Sequence, residues 1–98
     1  MFAIGNTIYY VTGVRMKGTI FKINHRRGMV AILTENGDFS TFEIIGGAPV
    51  EEGDNVYWEN DTGLGGEILH NLTQNEKYEV YFQNHWVPKH QLHQQLKG

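Results

Sequence analysis

The chain of 98 residues has no cysteine, only two prolines and a single serine, and nowhere do 18 consecutive apolar residues occur. Without cysteine there is no disulfide framework, no thiolate zinc cluster and no cysteine nucleophile, which points to an intracellular protein. Without a long apolar run there is no membrane-spanning helix, and no membrane partner is expected. The opening MFAIGNTIYY has no basic region ahead of an apolar stretch, so no secretory leader is expected and the expected location is cytoplasmic. The lone Ser40 has no G-x-S-x-G context and the acids are scattered over turns, so the chain is read as not an enzyme. Gly63, Gly65 and Gly66 lead into a strand and lack the Lys-Ser/Thr ending of a phosphate cradle. His90 and His93 lie three apart but lack a third ligand nearby, so neither metal nor cofactor is expected.

Acids outnumber Lys and Arg by 11 to 8, yet the charge is unevenly spread. Residues 1–48 hold five bases against three acids, a balance of +2, and residues 49–98 hold three against eight, a balance of −5. All five bases of the first half fall between positions 15 and 27, enough for one localised positive patch on an acidic molecule.

Twelve glycines punctuate short β-branched and aromatic runs, the pattern of an all-β chain with tight connections. Eight strands are expected, near 7–12, 18–24, 29–33, 39–44, 55–59, 67–71, 78–83 and 85–87. Asn36-Gly37, between MVAIL and DFSTF, predicts a hairpin with a type I′ turn. After Pro88 the segment KHQLHQQLK spaces Leu92 and Leu96 four apart, which predicts a short helical turn packed on a barrel end.

The two halves echo each other. Gly5-Asn6-Thr7-Ile8-Tyr9-Tyr10 recurs 48 positions later as Gly53-Asp54-Asn55-Val56-Tyr57-Trp58, and Gly18-Thr19-Ile20 as Gly66-Glu67-Ile68. A repeat of that length is about the size of a very small barrel. The expectation is two barrels, 1–48 and 49–98, packed together because each alone buries too little surface to be stable, with Trp58 and Leu92 at the interface.

This layout resembles Tudor- and KOW-type SH3-like barrels, most closely through GDNVYW, GGEIL, EVYFQN and WVPKHQL in the second half. The resemblance implies two tandem SH3-like barrels and a binding module. A second stretch, MKGTIFKINHRRGMVAI, is similar to the first two strands of cold-shock domains, with Asp38-Phe39-Ser40-Thr41-Phe42 following at matching spacing. That resemblance covers residues 16–72 and implies a single extended OB-type barrel. Lys22 stands where cold-shock domains carry a base-stacking Trp, and Met29 and Ala31 replace two of their Phe, leaving Phe39 and Phe42 of the stacking platform.

Nucleic-acid binding needs cations that release counterions from phosphates and rings on which unpaired bases stack. The candidate set is Arg15, Lys17, Lys22, His25, Arg26 and Arg27 with the rings Phe39 and Phe42, and the expected partner is RNA or single-stranded DNA. Strand parity puts Lys17 and Lys22 on opposite faces, which works against a single patch. The alternative is a protein-interaction module that holds a protein partner or a second copy of the chain on exposed Tyr57, Tyr81 and Trp86.

Overall fold

The computed structural model describes residues 15–47, 49–59 and 63–97. They form strands β1 (Met16–Asn24), β2 (Met29–Thr34), β3 (Phe39–Ile44), β4 (Asn55–Trp58), β5 (Gly65–Asn71) and β6 (Glu76–Val87), followed by a 3-10 turn (Lys89–Gln91) and a five-residue helix, α1 (Leu92–Leu96). The strands close one antiparallel barrel in the order β1-β2-β3-β6-β5-β4. The expected strand at 7–12, and with it the first copy of the GNTIYY motif, lies outside the described residues. No helix among them is long and apolar enough to cross a membrane.

The barrel corrects the expectation of two separate ones. Strands β1 to β3 come from the first half and β4 to β6 from the second, and the seams join the halves: Met16 to Thr19 pair with Trp58 to Asn55, and β3 pairs with β6. Position 48 therefore divides the two meanders of a single barrel. The echo survives on a smaller scale, in the β1–β2 and β5–β6 hairpins. Each has a four-residue turn closed by an asparagine, Asn24 opposite Met29 and Asn71 opposite Glu76. In each, that asparagine's Oδ1 accepts the amide three residues on, from Arg27 at 3.2 Å and from Gln74 at 3.0 Å.

Alternation explains the barrel core. Ile20 and Ile23 of β1, Val30 and Ile32 of β2, Phe42, Val56, Trp58, Leu69, Val80 and Phe82 pack inside, all buried. Unlike a half-solvated strand, β2 also buries its outward residues Met29 and Ala31. They form a second apolar layer with Phe39, Val87, Leu92 and Leu96, because α1 lies against the outer wall of β2 and β3. The four-residue spacing of the two leucines fits that packing, and their burial contributes about 2 kcal/mol each. Trp58 and Leu92 are buried as expected, Trp58 within the barrel and Leu92 under the helix.

Two local readings change. The loop at Asn36-Gly37 is not a type I′ turn, since only Gly37 has a positive φ (89°). Gly37 N donates to Thr34 O and Thr34 N to Asp38 O, which makes a three-residue loop with a glycine bulge, and Thr34 Oγ1 braces it on Asp38 Oδ1 at 2.6 Å. The strands expected at 78–83 and 85–87 are one strand, β6, interrupted by irregularities: Phe42 faces Phe82, Thr41 faces Asn84 and Phe39 faces Val87. His85 and Trp86 together oppose Ser40, the count of a β-bulge.

A buried polar cluster ties the second half together. Asp54 Oδ2 accepts from Asn71 Nδ2 at 2.7 Å, Gln74 Nε2 at 2.7 Å and the Glu51 amide at 2.9 Å, and Asn71 Nδ2 also donates to the Tyr78 hydroxyl at 2.8 Å. Burial pushes the Asp54 carboxyl up, but the three donors outweigh it and hold the group below its ordinary value. Tyr78 is pushed up, chiefly by burial, with the charges of Asp54 and Glu76 adding to it.

Candidate nucleic-acid interface

The geometry of this face begins with an irregularity in β1. Ile20 pairs with Ile32 and Lys22 with Ala31, so Phe21 is an extra residue and the strand's alternation resets there. Ile20 and Ile23 both point inward, while Lys17, Phe21 and Lys22 are all exposed. The parity expectation that separated Lys17 from Lys22 is thereby corrected, for the bulge brings both to the outer face. Phe21 is 39% exposed, and its ring stands on the buried ring of Phe39 at 5.0 Å, inclined by 60°.

Beyond β1 the turn exposes His25, Arg26 and Arg27, and Gly28 ends it in the left-handed region with φ of 68°. The other end of Asn24's amide reaches across the fold: Nδ2 donates to the carbonyl of Leu96 at 2.7 Å. That bond ties the turn to α1, which adds His93, with Lys97 just past its end. A hollow of about 300 Å³ is lined by Lys22, Asn24, His25, His93 and Lys97. A neighbouring one of about 360 Å³ is lined by Phe21, Lys22, Glu52, Leu92 and His93. Lys22 and Lys97 thus line one hollow beside the turn that carries Arg26 and Arg27, with two carboxylates close by. Glu52 also accepts the Ile23 amide at 3.3 Å, and Glu43 shares a third hollow with Arg27.

The expected residues are not all gathered there. Arg15 sits at the far end of β1, paired with Glu59 at 3.3 Å and stacked 4.3 Å above the ring of Tyr57. Lys17 lies between the two ends, five residues or about 16 Å from Lys22 at the usual strand rise. Phe39 and Phe42 are core residues, so neither can offer a face to a base. Phe39 supports Phe21 from below, and Phe42 packs on Phe82 inside the barrel. Sequence reasoning missed His93 and Lys97, whose four-residue spacing on the short helix was the available signal.

The aromatic set Tyr57, Tyr81 and Trp86 is also dispersed. Tyr57 is half-buried in a stack with His70, whereas Tyr81 and Trp86 are exposed five residues apart along β6. Trp86 is 59% exposed and holds a φ of 55°, unusual for so bulky a side chain. Its neighbour His85 is fixed on both nitrogens. Nε2 lies 2.6 Å from Gly63 O, which can only accept, so Nδ1 accepts the Ser40 hydroxyl at 2.8 Å. Ser40 is 2% exposed and His85 half-buried, and the serine–histidine pair fastens the segment at Gly63 to the barrel.

Compared with known proteins, the chain matches no family model, no curated protein and no solved structure.

Proposed function

We propose that the protein is a non-enzymatic binding module that takes RNA or single-stranded DNA on the corner formed by β1, the turn at 25–28 and α1. The observation that carries this reading is the bulge at Phe21. Through it an exposed ring and Lys22 share the outer face of the strand that leads into the turn carrying Arg26 and Arg27, and Lys22 lines one hollow with Lys97. The cations supply counterion release and Phe21 a surface for one base. A single closed barrel whose first hairpin spans the MKGTIFKINHRRGMVAI stretch favours kinship with OB-type, cold-shock-like barrels over tandem SH3-like ones. In that kinship Phe21, one place ahead of Lys22, stands in for the missing stacking Trp.

With four fixed cations on a chain of net charge −3, binding is weak, on the order of micromolar, and steeply salt-dependent, with a log–log slope of about −3 for single strands. The test is fluorescence anisotropy of a labelled 12-residue oligouridylate at rising salt, which does not rely on the buried Trp58. The double variant Arg26→Glu, Arg27→Glu is expected to abolish binding while leaving the thermal unfolding midpoint unchanged. Undiminished binding in that variant overturns the reading. So does silence of the unaltered protein at low salt, which would turn attention to a protein partner seated on Tyr57, Tyr81 and Trp86, the strained and exposed Trp86 foremost.

A further inference from the structure

Across the barrel wall from the basic corner, four strands contribute one residue each to a single row. Lys17 pairs with Tyr57, Tyr57 with His70 and His70 with Lys77. Residues directly opposite each other in a sheet project from the same face; Met16, Val56, Trp58 and Leu69, next to the first three, are buried inside the barrel, and Tyr78, next to Lys77, packs against that core. The row therefore faces outward and spans about 14 Å at ~4.8 Å per strand. Its two rings are stacked in parallel, centroids 4.3 Å apart and planes 2° from coincidence. The Arg15 guanidinium covers Tyr57, 4.3 Å from the ring centre, and is itself held by Glu59. Arg15, Tyr57 and His70 form a layered stack of cation, ring and ring.

Two hollows flank it. One of about 400 Å³ is bordered by Tyr57, His70, Leu72, Asn75 and Lys77, with Glu76 at its rim. The other, about 540 Å³, is bordered by Lys17, Thr19, Leu33, Asn55 and Leu72, with Glu35 at its rim. Three carboxylates, Glu35, Glu59 and Glu76, thus stand against Arg15, Lys17 and Lys77. A row so nearly neutral adds little to long-range attraction of a polyanion. What it offers is a π-face at the edge of a hollow, with hydrogen-bond donors on either side, which suits a nucleobase better than a bare phosphate.

We propose that a single-stranded nucleic acid held at the basic corner continues along the outer face of β1 through Lys17 onto this row, where one base extends the stack beyond His70 and Lys77 meets its phosphate. This rests on the function proposed above. It divides that function between two regions, because the corner contributes the salt-dependent part of the affinity and the row a part that salt does not change.

The experiment follows a labelled 12-residue oligouridylate by anisotropy over a salt series. In His70→Leu the affinity should fall about five- to tenfold at every salt concentration, with the slope of the unaltered protein retained. His70→Gln, which keeps a polar side chain without a ring, should fall alike and guards against a fold lost in the leucine variant. A four-residue probe, too short to span corner and row, should not distinguish His70→Leu from the unaltered protein. Affinity for the long probe within twofold in a folded His70→Leu overturns the proposal, and so does a loss accompanied by a shallower salt slope, since His70 would then act as a cation. If the unaltered protein binds neither probe, the corner reading fails as well. If Arg26→Glu, Arg27→Glu weakens binding and His70→Leu does not, the row alone falls.

Discussion

The hairpins β1–β2 and β5–β6 use the same turn for opposite ends. In both, an asparagine closes the ladder and accepts an amide three residues on, and the fourth turn residue is left-handed, Gly28 at φ 68° and Asn75 at φ 56°. They differ in where the asparagine's second amide atom goes. Asn24 Nδ2 reaches the carbonyl of Leu96 in a part-buried contact, whereas Asn71, itself fully buried, donates Nδ2 to Asp54 and Tyr78. The side chains carried by the turns differ to match: His25, Arg26 and Arg27 in one, Leu72, Thr73 and Gln74 in the other. Backbone geometry is thus a shared device, and the amide's donor decides whether a turn is tied to the C-terminal helix or clamped on the core.

The largest expected effect breaks that symmetry directly. Asn71→Ala removes three hydrogen bonds from a residue 1% exposed and leaves Asp54 and Tyr78 short of a partner, at a cost of about 3 kcal/mol in urea unfolding at neutral pH. Asn24→Ala loses one exposed and one part-buried bond at a half-buried residue, and should cost about 1 kcal/mol. Equal losses would mean that the two amides do equivalent work and that the contrast drawn between them is wrong.

Much of this contrast was hidden in the sequence for identifiable reasons. Strand positions were legible because Ile20, Val30, Ile32, Val80 and Phe82 keep the alternation that burial of one face demands. Barrel closure was not, because the β1–β4 and β3–β6 pairings join distant segments while the GNTIYY and GDNVYW echo suggested two separate units. The bulge at Phe21 carries no compositional mark, so parity set Lys17 and Lys22 on opposite faces when the fold sets them on one. Phe39 and Phe42 were read from a resemblance as stacking residues, although in so small a barrel inward or helix-covered rings are needed for packing. His93 and Lys97 joined the corner through the packing of Leu92 and Leu96 on β2 and β3 and the bond from Asn24 to Leu96, 72 residues apart. The cluster around Asp54 escaped notice altogether, since nothing local links positions 54, 71, 74 and 78.

A smaller effect sharpens the comparison through pH. The Asp54 carboxyl is held below its ordinary value, so the folded state favours its charged form more than the unfolded chain does. Its contribution is complete at neutral pH and is lost as pH falls below about 4 and through the depressed folded value. Asp54→Asn should therefore cost about 1–2 kcal/mol at neutral pH and converge on the unaltered protein in acid. Asn24, whose partner is a carbonyl, introduces no such dependence. Unfolding curves for Asp54→Asn that run parallel to those of the unaltered protein from pH 7 down to pH 2 would remove Asp54 as the source of the acid limb.

The smallest effect tests the shared device itself. A methyl group at Gly28 would meet nothing within 4 Å, so the cost of Gly28→Ala is confined to the left-handed backbone and amounts to about 1 kcal/mol. Asn75 already tolerates that conformation, and Asn75→Gly should change stability by less than about 0.5 kcal/mol, because easier access to the left-handed region is offset by a more flexible unfolded chain. Asn75→Ala should cost about as much as Gly28→Ala, since both put alanine into the same backbone region. Thermal unfolding of the three variants checks the set. A free Gly28→Ala substitution would show that the first turn does not depend on the left-handed residue, and the likeness between the hairpins would then be one of appearance only.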